Sequence, residues 1–323
     1  MKIFKQLLFA FLFFNAFHLQ AQSLEAEIVK AIKAAGNKQY DVAIAKYDSL
    51  IAEYPKMKML YLLKGEAYSQ LRRTYTVDTV SYNNAMRAYL QAIALDSTFF
   101  DAYRSMGLLN IYHQRFEKAA QYYTRAIEYA PNQEDLFNSY TDRGAAYLYL
   151  GKNKEAIADY NEAIKIRPDA PGVYSNLAMM HKRSGNLVEA RKLCMKGLEI
   201  DGNNTTLKNN LGLINLDEKK YAEAESIFEQ ILVEDPNDPI ALSNVGFART
   251  NLEKYELAMQ NLDRSIQIYP ENSYAFKNRA ILKIRLDKKQ DACKDLVEAK
   301  RLGYTRMYGT EVDDLLETHC EGQ

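Results

Sequence analysis

The 323-residue sequence has no tryptophan, three cysteines, seven prolines and 14 glycines. So few breakers over that length permit long helices. It also lacks charge of one sign, with 42 basic residues against 42 acidic, and no basic block. Phosphate recognition draws on clustered Lys and Arg, so nucleic acid is excluded as the main partner. Histidine is scarce: beyond residue 21 only His113, His181 and His319 occur, far apart in the chain. There is no His-Glu-x-x-His, no glycine-rich phosphate loop and no Cys-x-x-Cys, so no metal or cofactor is expected.

What is there begins with MKIFKQLLFAFLFFNAFHLQAQS, two lysines ahead of an apolar run from Leu7 to Phe14. This has the outline of a secretory signal and is too short to span a bilayer. Cleavage is expected after Ala21, although Leu19 is larger than the small residue usual three places before a cut. An uncleaved anchor is disfavoured by the interruption at Asn15. No cysteine precedes Cys194, so the acylated cysteine of a lipoprotein is missing. Beyond Gln22 no second long apolar run occurs, and the mature protein is read as exported and periplasmic, without a transmembrane segment. Its charge is then 40 basic residues against 42 acidic.

The rest of the chain repeats. A small residue followed twelve positions later by Ala recurs as Gly107 with Ala119, Gly144 with Ala156, Ala178 with Ala190, Gly212 with Ala224, Gly246 with Ala258, and Ala280 with Ala292. From Gly144 to Ala280 each step is 34 residues. Gly65 with Ala85 fits if eight extra residues separate its two helices, and Ala31 with Ala43 opens the series. Tyr140, Gly144 and Tyr147 share one face of a first helix; Ala156, Tyr160 and Ala163 share one face of a second. Pro55, Pro131, Pro168, Pro236 and Pro270 are placed to stop second helices. Pairs this short bury their faces only by stacking on neighbours.

Segments such as DRGAAYLYLGKNKEAIADYNEAIKIRP, residues 142–168, resemble a tetratricopeptide repeat, and the resemblance runs from residue 24 to about 305. It implies an all-α fold, a right-handed superhelical α-solenoid of eight helix-turn-helix repeats with a C-terminal capping helix. The layout is a signal at 1–21, repeats at 24–56, 57–98, 99–132, 136–169, 170–203, 204–237, 238–271 and 272–305, and a cap at 306–323. Departures are Cys194 and Gly197, where an aromatic and Ala are usual, and Lys208 near the start of the sixth first helix. Cys194 is expected as a buried thiol. Longer loops are expected at Arg72 to Ser81 and at Asn132 to Asp135. The cap is expected as a helix from Thr310 to His319 with Leu315 and Leu316 turned inward. The Gln after the signal, the Tyr-rich repeats and the tail with Cys320 also resemble exported repeat proteins of Bacteroidota in style.

Two expectations concern particular residues. Cys293 and Cys320 lie symmetrically about Arg306 and Met307, so antiparallel helices joined there bring them together as a disulfide. Two positions before the aligned small residue stand Asn176, Asn210, Asn244 and Asn278, a position that in the tetratricopeptide family faces the concave groove. Three residues further on come Met179, Leu213, Phe247 and Ile281, on the same stripe. A polar rail beside an apolar rail reads as a groove for a protein partner or extended peptide. The alternatives are that the amides bond neighbouring helices and that the apolar side chains tuck under the next repeat. Ser105 and Asp142 replace Asn in repeats three and four, changing the groove chemistry there. Neither Arg104 with Leu108 nor Lys277 with Ile281 completes the family's carboxylate clamp. With every segment assigned to signal, repeat or cap, the protein is read as a non-catalytic scaffold. A glycan-binding module using tyrosines such as Tyr112 and Tyr149, and a self-associating architectural solenoid, are the other readings.

Overall fold

A computed structural model describes residues 23–71 and 79–320. The proposed signal, and residues 72–78 of the long loop in the second repeat, lie outside the described residues. Among the described residues the ordered elements are α-helices and no strand occurs. The chain divides into two compact units, one ending at Arg167 and one beginning at Pro168.

The first unit holds α1 (residues 23–36), α2 (Tyr40–Glu53), α3 (Lys58–Gln70), α4 (Thr79–Leu95), α5 (Phe100–Tyr112), α6 (Phe116–Tyr129), α7 (Gln133–Tyr149) and α8 (Asn153–Ile166). The second holds α9 (Pro171–Arg183), α10 (Leu187–Ile200), α11 (Thr205–Asp217), α12 (Tyr221–Glu234), α13 (Pro239–Asn251), α14 (Tyr255–Ile268), α15 (Ser273–Arg285), α16 (Lys289–Arg301), α17 (Tyr304–Tyr308) and α18 (Glu311–Cys320). Odd-numbered helices up to α15 are the first of each pair and even-numbered ones the second.

Local chemistry sets the ends. Helices α2, α6, α8, α12 and α14 each stop two residues before a proline, at Pro55, Pro131, Pro168, Pro236 and Pro270. The intervening residue is driven out of the helical region by the proline ring, as at Asp235 (φ −130°, ψ 94°) and Tyr269 (φ −132°, ψ 85°). Four first helices, α7, α11, α13 and α15, open on side-chain caps: Asn132, Asn204, Asp238 and Asn272 each accept a backbone N–H. The expected loop at Asn132 to Asp135 is therefore a helix start. Asn132 caps α7, and the extra length lies in the helix, which has 17 residues against 13 in α5. Thr79 to Ser81, expected in a loop, likewise belong to α4.

In the repeats whose inner turn is described, that turn is a left-handed residue closing two backbone bonds. Lys219 donates to the Leu216 carbonyl (3.0 Å) and Lys220 to the Asn215 carbonyl (2.8 Å), the Schellman arrangement. The left-handed position recurs at Gly151, Gly185, Lys219, Glu253 and Asp287, and its φ is positive at each. Glycine adopts that conformation without penalty; Lys219, Glu253 and Asp287 do not.

The core is built on glycine facing a ring. A Cβ at Gly107 would lie 2.6 Å from the Tyr123 ring, and one at Gly212 2.6 Å from the Phe228 ring. Where Ala178 and Ala280 take the glycine position, the residue sixteen places later is Cys194 or Leu296, smaller than an aromatic, and all four are buried. Cys194 thus complements Ala178 by volume. It is a free buried thiol, which burial pushes up to about 12. Gly197 has its own reason: a Cβ there would meet Leu207 at 2.6 Å.

Within each unit, first helices of successive repeats pack on one another, α3 on α5 and α5 on α7, then α9 on α11, α11 on α13 and α13 on α15; second helices of successive repeats do so at most marginally. Closer approach on one side curves each unit toward it, so the first-helix face of each unit is its concave face. In the second unit α18 packs on α16, with Val312 buried and Leu315 and Leu316 half-buried against Leu296 and Ala299. Between them stands α17, flanked by Gly303 and Gly309 with positive φ, where a simple turn was expected at Arg306 and Met307. Cys293 and Cys320 are joined by a disulfide with an S–S distance of 2.00 Å.

Candidate protein-binding face

The asparagine stripe occupies equivalent positions on α9, α11, α13 and α15, and its chemistry is mostly internal. Asn210 donates from Nδ2 to the Ser175 carbonyl (3.2 Å) and hydroxyl (3.0 Å). Asn278 repeats this on the Ser243 carbonyl (3.3 Å) and hydroxyl (3.1 Å). Asn244 donates to Asn209 Oδ1 at 3.3 Å. All three are buried, at 3%, 2% and 5% exposure for Asn210, Asn278 and Asn244. Each amide reaches back 35 residues to the preceding first helix, so these donors are committed and are not offered to a peptide. This corrects the reading of Asn210, Asn244 and Asn278 as a ligand-facing ladder. Asn176 is half-buried.

The apolar rail is equally drawn in. Met179, Leu213, Phe247 and Ile281 are all half-buried, and Leu213 packs on the cluster containing Phe228 and Val245. Phe247 forms one wall of a cage around the Lys277 ammonium, 5.0 Å from its ring, with Tyr274 at 5.0 Å and Tyr304 at 5.7 Å. Lys277 is buried, and burial pulls its pKa down against the opposing Glu311 carboxylate, 3.3 Å away. The other lysine on this face, Lys182, pairs with Asp217 at 2.8 Å. The second unit's face is thus largely satisfied by its own residues.

The first unit's face differs. Leu108 and Tyr112 on α5 and Tyr149 on α7 stand exposed, Leu108 at 47% and Tyr149 at 65%. Tyr112 and Tyr149 hold equivalent places in their repeats, five residues after Gly107 and Gly144. The Tyr149 ring is stacked on Phe116, centroids 4.7 Å apart and planes 11° from parallel, so one face of it remains open. Beside this ridge lie acids. Glu66 of α3 is exposed. Desolvation by the surrounding protein, and then the Asp101 carboxylate, push its pKa up, partly relieved by the Ser105 hydroxyl. Burial also raises Asp142, against the pull of Arg104 at 3.6 Å. The sequence reading registered Ser105 and Asp142 as a change of groove chemistry and missed Glu66. Its signal was an acid directly after the aligned Gly65, where Met179, Leu213, Phe247 and Ile281 stand in later repeats.

Among the described residues no group of His, Cys, Asp and Glu is arranged to hold a metal ion, and no helix is long and apolar enough to cross a membrane.

Sequence profiles of the tetratricopeptide repeat match residues 101–133, 172–200 and 206–238, and a further TPR-repeat profile matches 144–185. Among characterised proteins, the heat shock protein STI1 of Saccharomyces cerevisiae is 32% identical over 111 residues, 34% of this chain and 18% of that protein. The small glutamine-rich tetratricopeptide repeat-containing protein 2 of Mycosarcoma maydis is 37% identical over 93 residues, 29% of this chain and 26% of its own length. The matches therefore span a minor part of those proteins. Among solved structures, a tetratricopeptide repeat protein of Parabacteroides merdae superposes with a TM-score of 0.65 at 18% identity, covering 80% of this chain and 98% of its own. Pseudomonas aeruginosa pilF gives 0.53 at 21% identity, covering 68% of this chain and 98% of its own. At these identities the structures speak for the fold.

Proposed function

We propose that this tetratricopeptide-repeat protein is an exported scaffold that holds a partner protein or extended peptide on the concave first-helix face of its repeats, serving assembly of an envelope complex. The observation that carries the reading is the exposed apolar ridge of Leu108, Tyr112 and Tyr149. Helix pairing here is accounted for by glycines facing rings, which leaves Leu108 and the open side of the Tyr149 ring for another contact. Proteins of the tetratricopeptide-repeat family are typically non-catalytic scaffolds, which supports a binding role.

Export to the periplasm is supported by the pattern of residues 1–21 and by the Cys293–Cys320 pairing, which persists in an oxidising compartment. Protein recovered from the periplasm with Gln22 at its N-terminus supports this part; recovery only from the cytoplasm with Met1 or Lys2 retained overturns it.

The test of the scaffold is co-purification from the native cell envelope with the mature protein, a Leu108→Ser/Tyr149→Ser variant, and a variant with Ala at Asn176, Asn210, Asn244 and Asn278, each first checked for helicity. Selective loss of a partner from the first variant supports the reading. The same proteins recovered with wild type and both variants remove the concave face from consideration. The exposed rings of Tyr112 and Tyr149 also favour a second reading, stacking against a sugar. Binding to a defined polysaccharide with no protein partner establishes that instead. A concentration-dependent oligomer in sedimentation favours self-association.

A further inference from the structure

On the first unit's concave face two carboxylates, Glu66 and Asp101, stand next to the apolar ridge without an ion pair among the described residues. Glu66 on α3, Leu108 on α5 and Ala145 on α7 each follow the aligned glycine of their repeat, so they form one row across three helices. Asp101, in the first turn of α5, and Asp142 on α7 flank that row. Among the described residues Arg104 is the cation beside these three carboxylates, and it is already paired with Asp142. Among the described residues neither Glu66 nor Asp101 forms an ion pair with Lys or Arg. The second unit, by contrast, neutralises its face with Lys182 on Asp217 and Lys277 on Glu311.

Resting on the scaffold reading above, we infer that this face takes an extended peptide segment alternating basic and apolar side chains, its cation between Glu66 and Asp101 and its apolar residue on Leu108 and the open side of the Tyr149 ring. Side chains of an extended strand alternate, so one edge of the segment presents the cation or the apolar group at regular intervals. Like charges crowded in a concavity destabilise the free protein, and an incoming ammonium or guanidinium relieves them, so binding is favoured where the partner is cationic. The sign is opposite to that of the family's carboxylate clamp, whose cationic pattern this chain does not complete.

The experiment uses the mature protein and three fluorescein-labelled twelve-residue peptides, one alternating Lys and Leu, one Glu and Leu, one Ser and Leu, read by anisotropy at two salt concentrations. The Lys-Leu peptide is expected to bind at least about tenfold tighter than the other two, with affinity falling as salt rises. Glu66→Gln/Asp101→Asn is expected to remove that preference, while Glu155→Gln on α8 leaves it unchanged. Leu108→Ser/Tyr149→Ser is expected to weaken all three peptides. Equal binding of the Lys and Glu peptides, or a preference that survives Glu66→Gln/Asp101→Asn, overturns the cationic partner while leaving the scaffold standing. Equal loss on Glu155→Gln overturns it too, by exposing non-specific charge attraction. If no peptide binds, the inference fails, and the envelope co-purification then decides separately whether the scaffold reading fails with it.

Discussion

Asn278 on α15 donates its side-chain amide to the carbonyl and hydroxyl of Ser243 on α13, 35 residues earlier. The same bond joins Asn210 to Ser175. These amides hold successive repeats at a fixed spacing. Asn210→Ala is expected to lower unfolding free energy by about 1 to 2 kcal/mol, since a buried bond is lost. Denaturant titration checks it, and a cycle with Ser175→Ala is expected to show coupling, because the two changes remove one interaction.

Glycine substitutions rank by what a Cβ meets. Gly107→Ala and Gly212→Ala place it 2.6 Å from a ring and are expected to destabilise by about 1 to 3 kcal/mol. Gly144→Ala meets Tyr160 at 3.0 Å and is expected to be milder, whereas Gly172→Ala meets nothing within 4 Å and is expected to be neutral or slightly stabilising. Thermal melts of the four variants give the order directly.

The left-handed turn predicts a gain. Lys219→Gly and Glu253→Gly relieve a backbone conformation unfavourable for a side chain, at φ 60° and 62°. Each is expected to raise stability by up to about 1 kcal/mol, part of the relief being offset by greater freedom of the unfolded chain. Denaturation midpoints above wild type are the check.

Reducing Cys293–Cys320, or replacing both with Ser, is expected to lower stability by about 3 kcal/mol. The effect should centre on α18. Hydrogen exchange there should quicken, while Lys300 with Asp313 (2.8 Å) and Tyr304 with Glu311 (2.9 Å) keep the helix docked.

For Glu66 the folded pKa is raised, so stability is fully present below the unfolded carboxylate value and is lost as pH rises through the folded one. Glu66→Gln mimics the protonated side chain. It is expected to stabilise the protein at pH 7 and to make no difference at a pH below the carboxylate range, as melts at both pH values would show.

Much of the fold was legible because it is periodic: Gly144, Gly212 and Gly246 with their partners sixteen residues on announce a helix pair wherever they recur. The cysteine pairing was readable because Cys293 and Cys320 stand on segments the repeat forces to return on one another, although α17 replaces the imagined turn. The candidate face was less legible. Helical spacing places Asn210 on a stripe, but depth along that stripe depends on the acceptor one position earlier on the previous helix, Ser175. That acceptor lies a full repeat away. Glu66 was missed for a related reason: a single acid on a helix carries no signal until packing sets Asp101 beside it.

The hydrogen bonds that side-chain amides make between first helices also have a direction. In each, the acceptor lies on the earlier repeat and the amide donor on the later one. A chain emerging from its N-terminus completes Ser175 before Asn210 arrives, and the waiting hydroxyl and carbonyl are solvated in the meantime. The second unit can therefore assemble in the order in which it is delivered, each new repeat docking on a finished surface, which suits a polypeptide that folds vectorially.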